Sequence, residues 1–383
     1  MRDSIRLGRV AGVRVGLHWS LVVMVALVAS GLAQNRFAVE APGYSGATYA
    51  IAGGLTAVGL LVGVLLHELG HAVMARRRGL TVDGITLSWM GGVTRIEGET
   101  DRPFTEFLVA GIGPLTSAGV GLVLWLVRLG ASSWGASELL LASLGWLAWI
   151  NIVLAVFNIL PAAPLDGGRV LHAVVWGAGK DRWKATRVAA GTGVALGGAI
   201  VVLGFVFSER SHDIFNGLLV TLVGWWLLSS AREELGSGAV QRALDGVKLS
   251  DVMRPVGEAP GWITIRSFAE QYAGARPGWV WLLRGWDGSY AGILVGDSIA
   301  SVPYPRWDLA RPVDVALPVH SAVGAAPDDD ALTVLSRSEN KPVILVVAGG
   351  HTVGAVLPND VDAAIRMGGR VVRGRRPATG PAR

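Results

Sequence analysis

The chain has 383 residues, of which 51% are hydrophobic and 16% charged, and its mean hydropathy is +0.47. A soluble domain usually carries about 25% charged residues, so this composition favours a membrane protein with several spans. The formal net charge of +5 is small and dispersed, which argues against nucleic-acid binding. The chain has no cysteine, which excludes disulfides and thiolate metal sites.

The N-terminal segment, residues 1–16, is short and contains four arginines. Basic residues beside a span favour the cytoplasmic side, so we expect the N-terminus in the cytoplasm. Arginines alternate there with apolar residues and glycines, which indicates a small strand at the membrane interface. The apolar run 17–33 predicts a first membrane helix. It does not have the form of a signal peptide, because no small-residue exit leads from it to a soluble domain.

The second apolar run, 48–75, contains the pattern His67-Glu68-x-x-His71 and is followed by three arginines, 76–78. Helical spacing puts the two imidazoles one turn apart on one face, where both can bind one zinc ion at roughly 2.0–2.1 Å. Glu68 directly follows the first histidine, where a carboxylate can accept a proton from a water molecule. Ionisable groups in a membrane-length segment tend to mark a functional site. The alternative is a chance pattern with solvated side chains.

A hairpin is predicted between the second and third spans. Residues 79–98 lack a helical pattern, and two strand-like runs, 85–90 and 93–97, flank Gly91-Gly92. A hairpin with a free edge could accept an extended substrate segment as an added strand. A structural ribbon that covers helix ends is the alternative, and both can hold together.

Four further apolar runs predict the remaining spans, giving about six in total. They are 107–129, which contains Gly113-Pro114 near its start, 139–160, 188–207 and 214–228. Basic residues between 180 and 187 again favour the cytoplasm, and six spans return the chain to the side where it began.

A second polar motif follows the fourth span. Two prolines, Pro161 and Pro164, break the helix before Asp166, and two glycines after it allow a close backbone approach. Irregular backbone at membrane depth is tolerated only where it lines a protein-enclosed cavity. Asp166 is therefore the favoured third zinc ligand, which leaves a fourth position for water. His172 is a competing ligand, and an Asp-Gly turn is the purely structural alternative.

The chain changes character after the last span. The membrane domain covers residues 1–230, and residues 231–247 resemble an amphipathic connector. Residues 248–367 contain two weakly similar units of roughly 60 residues, which predict a pseudo-symmetric α/β pair. The basic tail, residues 368–383, contains Pro and Gly and is predicted to be disordered.

With both motifs in place, the sequence resembles the site-2 protease family of intramembrane zinc metalloproteases, in the branch with C-terminal cystathionine-β-synthase-type (CBS) domains. The first motif corresponds to the zinc-binding helix of the family. Asn158-x-x-Pro161 with Leu165-Asp166-Gly167 corresponds to its second motif. The hairpin glycines and the Gly-Pro pair also fit.

The resemblance implies a site with named roles. His67, His71 and Asp166 would bind one zinc ion per chain, and Glu68 would act as general base. Asn158 would hold the substrate or polarise its carbonyl.

The resemblance also implies a fold and a setting. The fold would be a polytopic α-helical membrane protein with about six transmembrane helices and a membrane-associated β-hairpin, followed by a C-terminal α/β CBS-type domain pair. The substrate would be a single-span membrane protein, such as an anti-sigma factor or a membrane-tethered regulator, cut within the lipid bilayer of the cell membrane. The CBS pair would be cytoplasmic and could form a homodimer.

Two alternatives stay open. CBS domains that bind adenine nucleotide often carry Gly-x-x-(Ser/Thr)-x-x-Asp, whereas Leu357 and Val295 replace the hydroxyl here, so a structural, dimer-forming or substrate-filtering role is as plausible. The whole chain could instead be a non-enzymatic metal-binding transport or gating protein regulated by a CBS module. Glu68 argues against that alternative, because a pure ion site does not need a carboxylate beside its ligands.

Overall fold

The computed structural model describes residues 5–366 except 90, 98–99, 101, 212–213, 275–277 and 339–340. The chain divides into two compact units, Met1–Gly238 and Ala239–Arg383. The division falls inside the helix Ile214–Leu244, so most of the segment predicted as a connector continues that helix. The tail predicted to be disordered lies outside the described residues.

The N-terminal segment forms two antiparallel strands, β1 (Ile5–Val10) and β2 (Val13–Leu17). The predicted strand is thus a hairpin, and the first helix begins only at Ser20 because β2 uses the start of the apolar run.

Six helices in the described part of the chain are long and apolar enough to cross a membrane, which agrees with the predicted number. The long helices and their short neighbours are α1 (Ser20–Gly31), a π-helical segment (Leu32–Phe37), α2 (Ala38–Glu40), α3 (Gly46–Arg77), α4 (Pro103–Ser133), α5 (Glu138–Asn158), α6 (Asp166–Gly179), α7 (Arg182–Ser211) and α8 (Ile214–Leu244). The first three of these together make the first span, and α6 is too short to be one. The protein is therefore a polytopic helical membrane protein.

The hairpin between α3 and α4 consists of β3 (Thr81–Ser88) and β4 (Gly91–Glu97). It belongs to a four-stranded sheet of order β1-β2-β3-β4, in which β2 and β3 are parallel. Ser88 pairs with Gly91, so the glycine pair starts β4 and does not form the turn. The sequence pattern predicts the turn at the glycines themselves, one step further along the chain. Gly91, with φ +113°, instead provides the left-handed backbone at which the second strand begins.

Helix α3 is central to the first unit, because it contacts α1, α4, α5 and both strands of the hairpin. Its first turn is capped by the Ser45 hydroxyl, which accepts from the Thr48 amide at 3.2 Å. The helix ends after Arg77, where Gly79 takes φ +83° and turns the chain into β3.

The break between α5 and α6 is held by close backbone packing. A Cβ on Gly167 would lie 2.2 Å from the Ile159 carbonyl oxygen, and one on Gly168 would lie 2.4 Å from the Ala163 nitrogen. Side chains at these two positions would therefore force the break apart. Asp166 is the first residue of α6, and α6 packs against α4, which also packs against α3.

The second unit contains two three-stranded sheets of the same topology, β5-β6-β7 and β8-β9-β10. In each, the first two strands are parallel and the last two form an antiparallel hairpin. The elements are α9 (Leu249–Val252), β5 (Val256–Pro260), α10 (Ile265–Phe268), β6 (Val280–Arg284), β7 (Tyr290–Val295), β8 (Ala322–Ala325), α11 (Ala331–Arg337), β9 (Val343–Ala348), β10 (His351–Val356) and α12 (Pro358–Arg366). Buried residues of both sheets, among them Val280, Ile293, Val343 and Ala355, share one core. The unit is α/β as predicted, and its assignment as a CBS pair stays a prediction.

Candidate metal centre

Helix α3 carries the first motif near its C-terminal end. His67, Glu68 and His71 are exposed by 6%, 8% and 6%, although all three are ionisable. The two imidazoles lie one turn apart, with ring centroids separated by 4.8 Å. Buried ionisable groups need partners, so what these side chains contact defines the site.

Residues of α4 form hydrogen bonds with the outer nitrogen, Nδ1, of each imidazole, whereas the inner nitrogen, Nε2, faces Asp166. His71 Nδ1 lies 2.7 Å from the Val109 carbonyl oxygen, and His67 Nδ1 lies 2.9 Å from the Ser117 hydroxyl. A carbonyl can only accept, so Nδ1 of His71 donates and, in the neutral ring, Nε2 presents its lone pair. Hydrogen bonds of this kind orient histidine ligands in metal sites.

Asp166 meets the inner nitrogens of both rings. Its Oδ2 lies 3.1 Å from His67 Nε2 and 3.2 Å from His71 Nε2, and the two Nε2 atoms are 3.1 Å apart. Tetrahedral coordination with bonds of about 2.0–2.1 Å would separate ligand atoms by roughly 3.3 Å. Two imidazole nitrogens and one carboxylate oxygen are also a donor set that zinc accepts. The three side chains therefore fit a zinc ion.

A glycine on α4 leaves the space that an ion would need. A Cβ on Gly113 would lie 2.2 Å from His71 Nε2 and 2.8 Å from His67 Nε2. Any side chain here would thus occupy the volume next to both candidate ligand atoms. The adjacent Pro114 was noted in the sequence, but the need for glycine follows only from the approach of α4 to α3.

We expect Gly113→Ala to lower zinc affinity about 10–100-fold, the range seen when groups that support metal ligands are altered. The added methyl group would displace the two imidazoles or the ion. Zinc per chain after dialysis against graded chelator measures the effect. Gly111→Ala is the matched control, because a Cβ there meets nothing within 4 Å. Equal loss of zinc in both variants would show that α4 is merely sensitive to alanine.

Glu68 is held by the hairpin and not by the histidines. Its Oε2 accepts a hydrogen bond of 2.6 Å from the Thr94 hydroxyl on β4. A Cβ on Gly92 would lie 2.3 Å from Glu68 Cγ, so the β4 backbone is packed against this side chain. Sequence reasoning missed Thr94. The signal that could have found it is the two-residue period of a strand, which puts residues 92 and 94 on one face.

The other candidates lie apart from this group. His172 Nδ1 is 3.0 Å from Glu106 Oε2, and among the described residues the only metal-capable group is His67, His71 and Asp166, so the competing ligand does not join it. Asn158 is the last residue of α5, and its amide donates to the Leu154 carbonyl oxygen at 3.0 Å. Within the described chain it forms no hydrogen bond to the three, so its role stays a prediction.

The comparisons with known proteins agree with this chemistry. The model of Peptidase family M50 matches residues 55–135 and 131–203. "Putative zinc metalloprotease Rip3" of Mycobacterium tuberculosis is 34% identical over 369 residues, which are 94% of this chain and 92% of that protein. "Zinc metalloprotease MJ0392" of Methanocaldococcus jannaschii is 25% identical over 373 residues, 96% of this chain and 97% of that protein. The solved structure "Site-2 Protease from Methanocaldococcus jannaschii" is 26% identical, covers 60% of this chain and 94% of that one, and has a TM-score of 0.40. The chain belongs to peptidase family M50, the site-2 protease family of membrane zinc metallopeptidases.

Proposed function

We propose that the protein is an intramembrane zinc endopeptidase that hydrolyses a peptide bond in or near a transmembrane helix of a membrane-anchored protein. The observation that carries the proposal is the grouping of His67, His71 and Asp166 with separations of 3.1–3.2 Å, beside the buried carboxylate of Glu68. Two of these residues and Glu68 lie on a helix that is long and apolar enough to cross a membrane. In this proposal the three side chains hold one zinc ion per chain.

Zinc, when bound, would polarise the scissile carbonyl and lower the pKa of a water molecule toward about 7. The Val109 carbonyl and the Ser117 hydroxyl orient the two imidazoles, whose Nε2 atoms would hold the ion. Glu68 would take the proton of the attacking water on a carboxylate oxygen and return it to the leaving amine nitrogen. The site is buried, so these charges act in a medium of low dielectric, where they are most effective.

We propose that β4 binds the substrate as an extended strand. Within the described sheet β4 is an edge strand, so one side of its backbone is free of strand partners. A peptide bond in a helix is protected by the hydrogen bonds of that helix. The substrate segment must therefore unwind before it can be cleaved. A sheet edge replaces those bonds with main-chain pairing. The substrate would be a single-span membrane protein, such as an anti-sigma factor or a membrane-tethered regulator.

Asn158 is proposed to hold that segment or to polarise its carbonyl. Its position supports the role, because it ends α5 directly before the broken segment that leads to Asp166. A carboxamide has two N–H donors and an acceptor, and the bond to Leu154 uses one donor. The second donor is available to a substrate.

We propose the cell membrane as the location, with the N-terminus and the second unit in the cytoplasm. The argument is the distribution of basic residues. Arginines 76–78 follow the motif-bearing span, and four basic residues between 180 and 187 stand around the start of α7. Positive charges in short loops favour the cytoplasmic side. The catalytic group would then lie near the inner face of the membrane.

The second unit is proposed to be a tandem CBS-type pair that could form a homodimer. The repeated topology of its two sheets supports this, since each pairs a parallel strand with an antiparallel hairpin. Adenine nucleotide fits it poorly. Asp360 stands at the aspartate position of the nucleotide pattern, Gly354-x-x-Leu357-x-x-Asp360, which would bind the ribose. Its carboxylate already accepts from Arg254 Nε at 2.5 Å and from the Leu357 amide at 3.0 Å. A nucleotide would have to compete with that ion pair.

Metal removal tests the function as a whole. The chelator 1,10-phenanthroline would remove the zinc ion on which the proposed hydrolysis depends. We therefore expect it to lower cleavage of a single-span reporter at least about 100-fold, and added zinc to restore cleavage. Mass spectrometry of the fragments should map the cut to the membrane helix of the reporter. Soluble casein is the comparison substrate. Cleavage of casein without cleavage of the reporter would contradict the intramembrane proposal, and no cleavage of either by zinc-loaded protein would favour a gating function.

A further inference from the structure

Strand β4 contacts helix α3 at Glu68, the candidate general base. Alternate residues of β4 point to opposite faces of the sheet. Gly92 and Thr94 face Glu68, whereas Val93 between them is 57% exposed. The face of β4 that carries Gly92 and Thr94 therefore packs against Glu68.

The hydroxyl group of Thr94 donates its hydrogen to the Glu68 carboxylate. Its Oγ1 lies 2.6 Å from Glu68 Oε2 and 3.3 Å from the Glu68 backbone oxygen. A hydroxyl has one proton to donate, and the shorter contact to a carboxylate is much the stronger of the two. The hydroxyl thus fixes Oε2.

The other side of the carboxylate faces the backbone of Gly92. A Cβ on that glycine would approach Glu68 Cδ to 2.7 Å and Oε1 to 2.8 Å, so the strand lies as near as a glycine allows. The hydrogen bond from Thr94 engages Oε2, so Oε1 is the oxygen assigned to take a proton.

We propose that Thr94 is a positioning residue for Glu68, which rests on the proposed function of Glu68 as general base. The hydroxyl holds Oε2 so that the carboxylate meets the attacking water with Oε1 in a fixed orientation. Groups preorganised in this way do not have to be ordered during the reaction. Because β4 is also the strand proposed to bind substrate, one element then sets the positions of both the scissile bond and the base.

The test compares Thr94→Val, which removes the hydroxyl at nearly constant volume, with Thr94→Ser, which keeps it. With a single-span reporter that wild-type protein cleaves, we expect Thr94→Val to lower kcat about 10–100-fold, as for loss of a hydrogen bond to a charged group. The reporter KM should change less than about twofold and zinc per chain should not change, since the hydrogen bonds described for the Thr94 hydroxyl go to Glu68 and not to a candidate metal ligand. Thr94→Ser should return kcat to within about threefold of wild type.

An infrared readout is independent of turnover. The difference spectrum between wild type and Glu68→Gln isolates the Glu68 carboxyl band. We expect that band to shift in Thr94→Val and to be unchanged in Thr81→Val, a control on an exposed position of β3. A purely structural role would lower stability in Thr94→Val without a selective loss of kcat.

The outcomes separate the two proposals. If Glu68→Gln is inactive while Thr94→Val keeps the wild-type kcat and band, the positioning role is wrong and the protease stands. If Glu68→Gln cleaves the reporter as wild type does, the general base is wrong and the positioning role falls with it.

Discussion

Replacing Glu68 with glutamine is expected to lower peptide-bond cleavage about 10²–10⁴-fold, the usual contribution of a general base. Glutamine has almost the same shape and can still accept from the Thr94 hydroxyl. It cannot take a proton from water near neutral pH, so the chemical step should fail while the fold persists. The measurement is kcat on a single-span reporter together with zinc per chain, which should not change.

The matched control for this variant is Glu138→Gln. Glu138 lies in the first turn of α5, outside the candidate site, and it is solvent-exposed. The same loss of charge there should leave kcat and zinc at wild-type values. Wild-type cleavage by Glu68→Gln would instead remove the catalytic assignment and leave the three neighbouring residues as an ion-binding site only.

The second large effect is expected at Asp166, the candidate oxygen ligand. Asp166→Ala should lower zinc affinity more than about 100-fold, beyond what changes in supporting groups cause, and cleavage should fall with it. The two imidazoles alone cannot complete a site, and Asp166 is the only carboxylate of the described group. Zinc per chain by mass spectrometry and reporter cleavage at saturating zinc would measure the two losses together.

Asp181→Ala provides the comparison for that variant. The Asp181 side chain accepts from the Lys184 amide at the start of α7, so its removal should cost about 1 kcal/mol of helix stability. Zinc content should not change, because this carboxylate is not in the described metal-capable group. Full zinc occupancy in Asp166→Ala would mean that the third ligand is another group.

The local part of the site could be predicted because it depends only on helix geometry. His67 and His71 share a face by spacing alone, and the structure has them on one buried face of α3. Asp166 is 95 residues beyond His71 and could be predicted only because two prolines and two glycines put a carboxylate on broken backbone. Its contact with both imidazoles depends on the packing of α3, α4 and α6.

What could not be predicted depends on contacts between distant segments. No local pattern says that β2 pairs in parallel with β3, about 70 residues later in the chain. The hydrogen bond from Thr94 to Glu68 likewise forms only when the hairpin folds back on α3. The close approach of Gly113 to the two histidines requires that α3 and α4 pack with these residues side by side. The local sequence around Thr94 and Gly113 does not indicate these contacts, which arise only when the distant segments pack together.

The N-terminal strands matter for anyone who truncates or tags this protein. Strand β2 covers the edge of β3 that β4 does not, so β3 is paired on both sides. A shortened form starting at Trp19 would uncover that edge and offer a second place where an extended polypeptide, or another copy of the chain, can pair. The first strands carry no candidate site residue, yet with them in place β3 has no open edge, and the open edge next to Glu68 is that of β4.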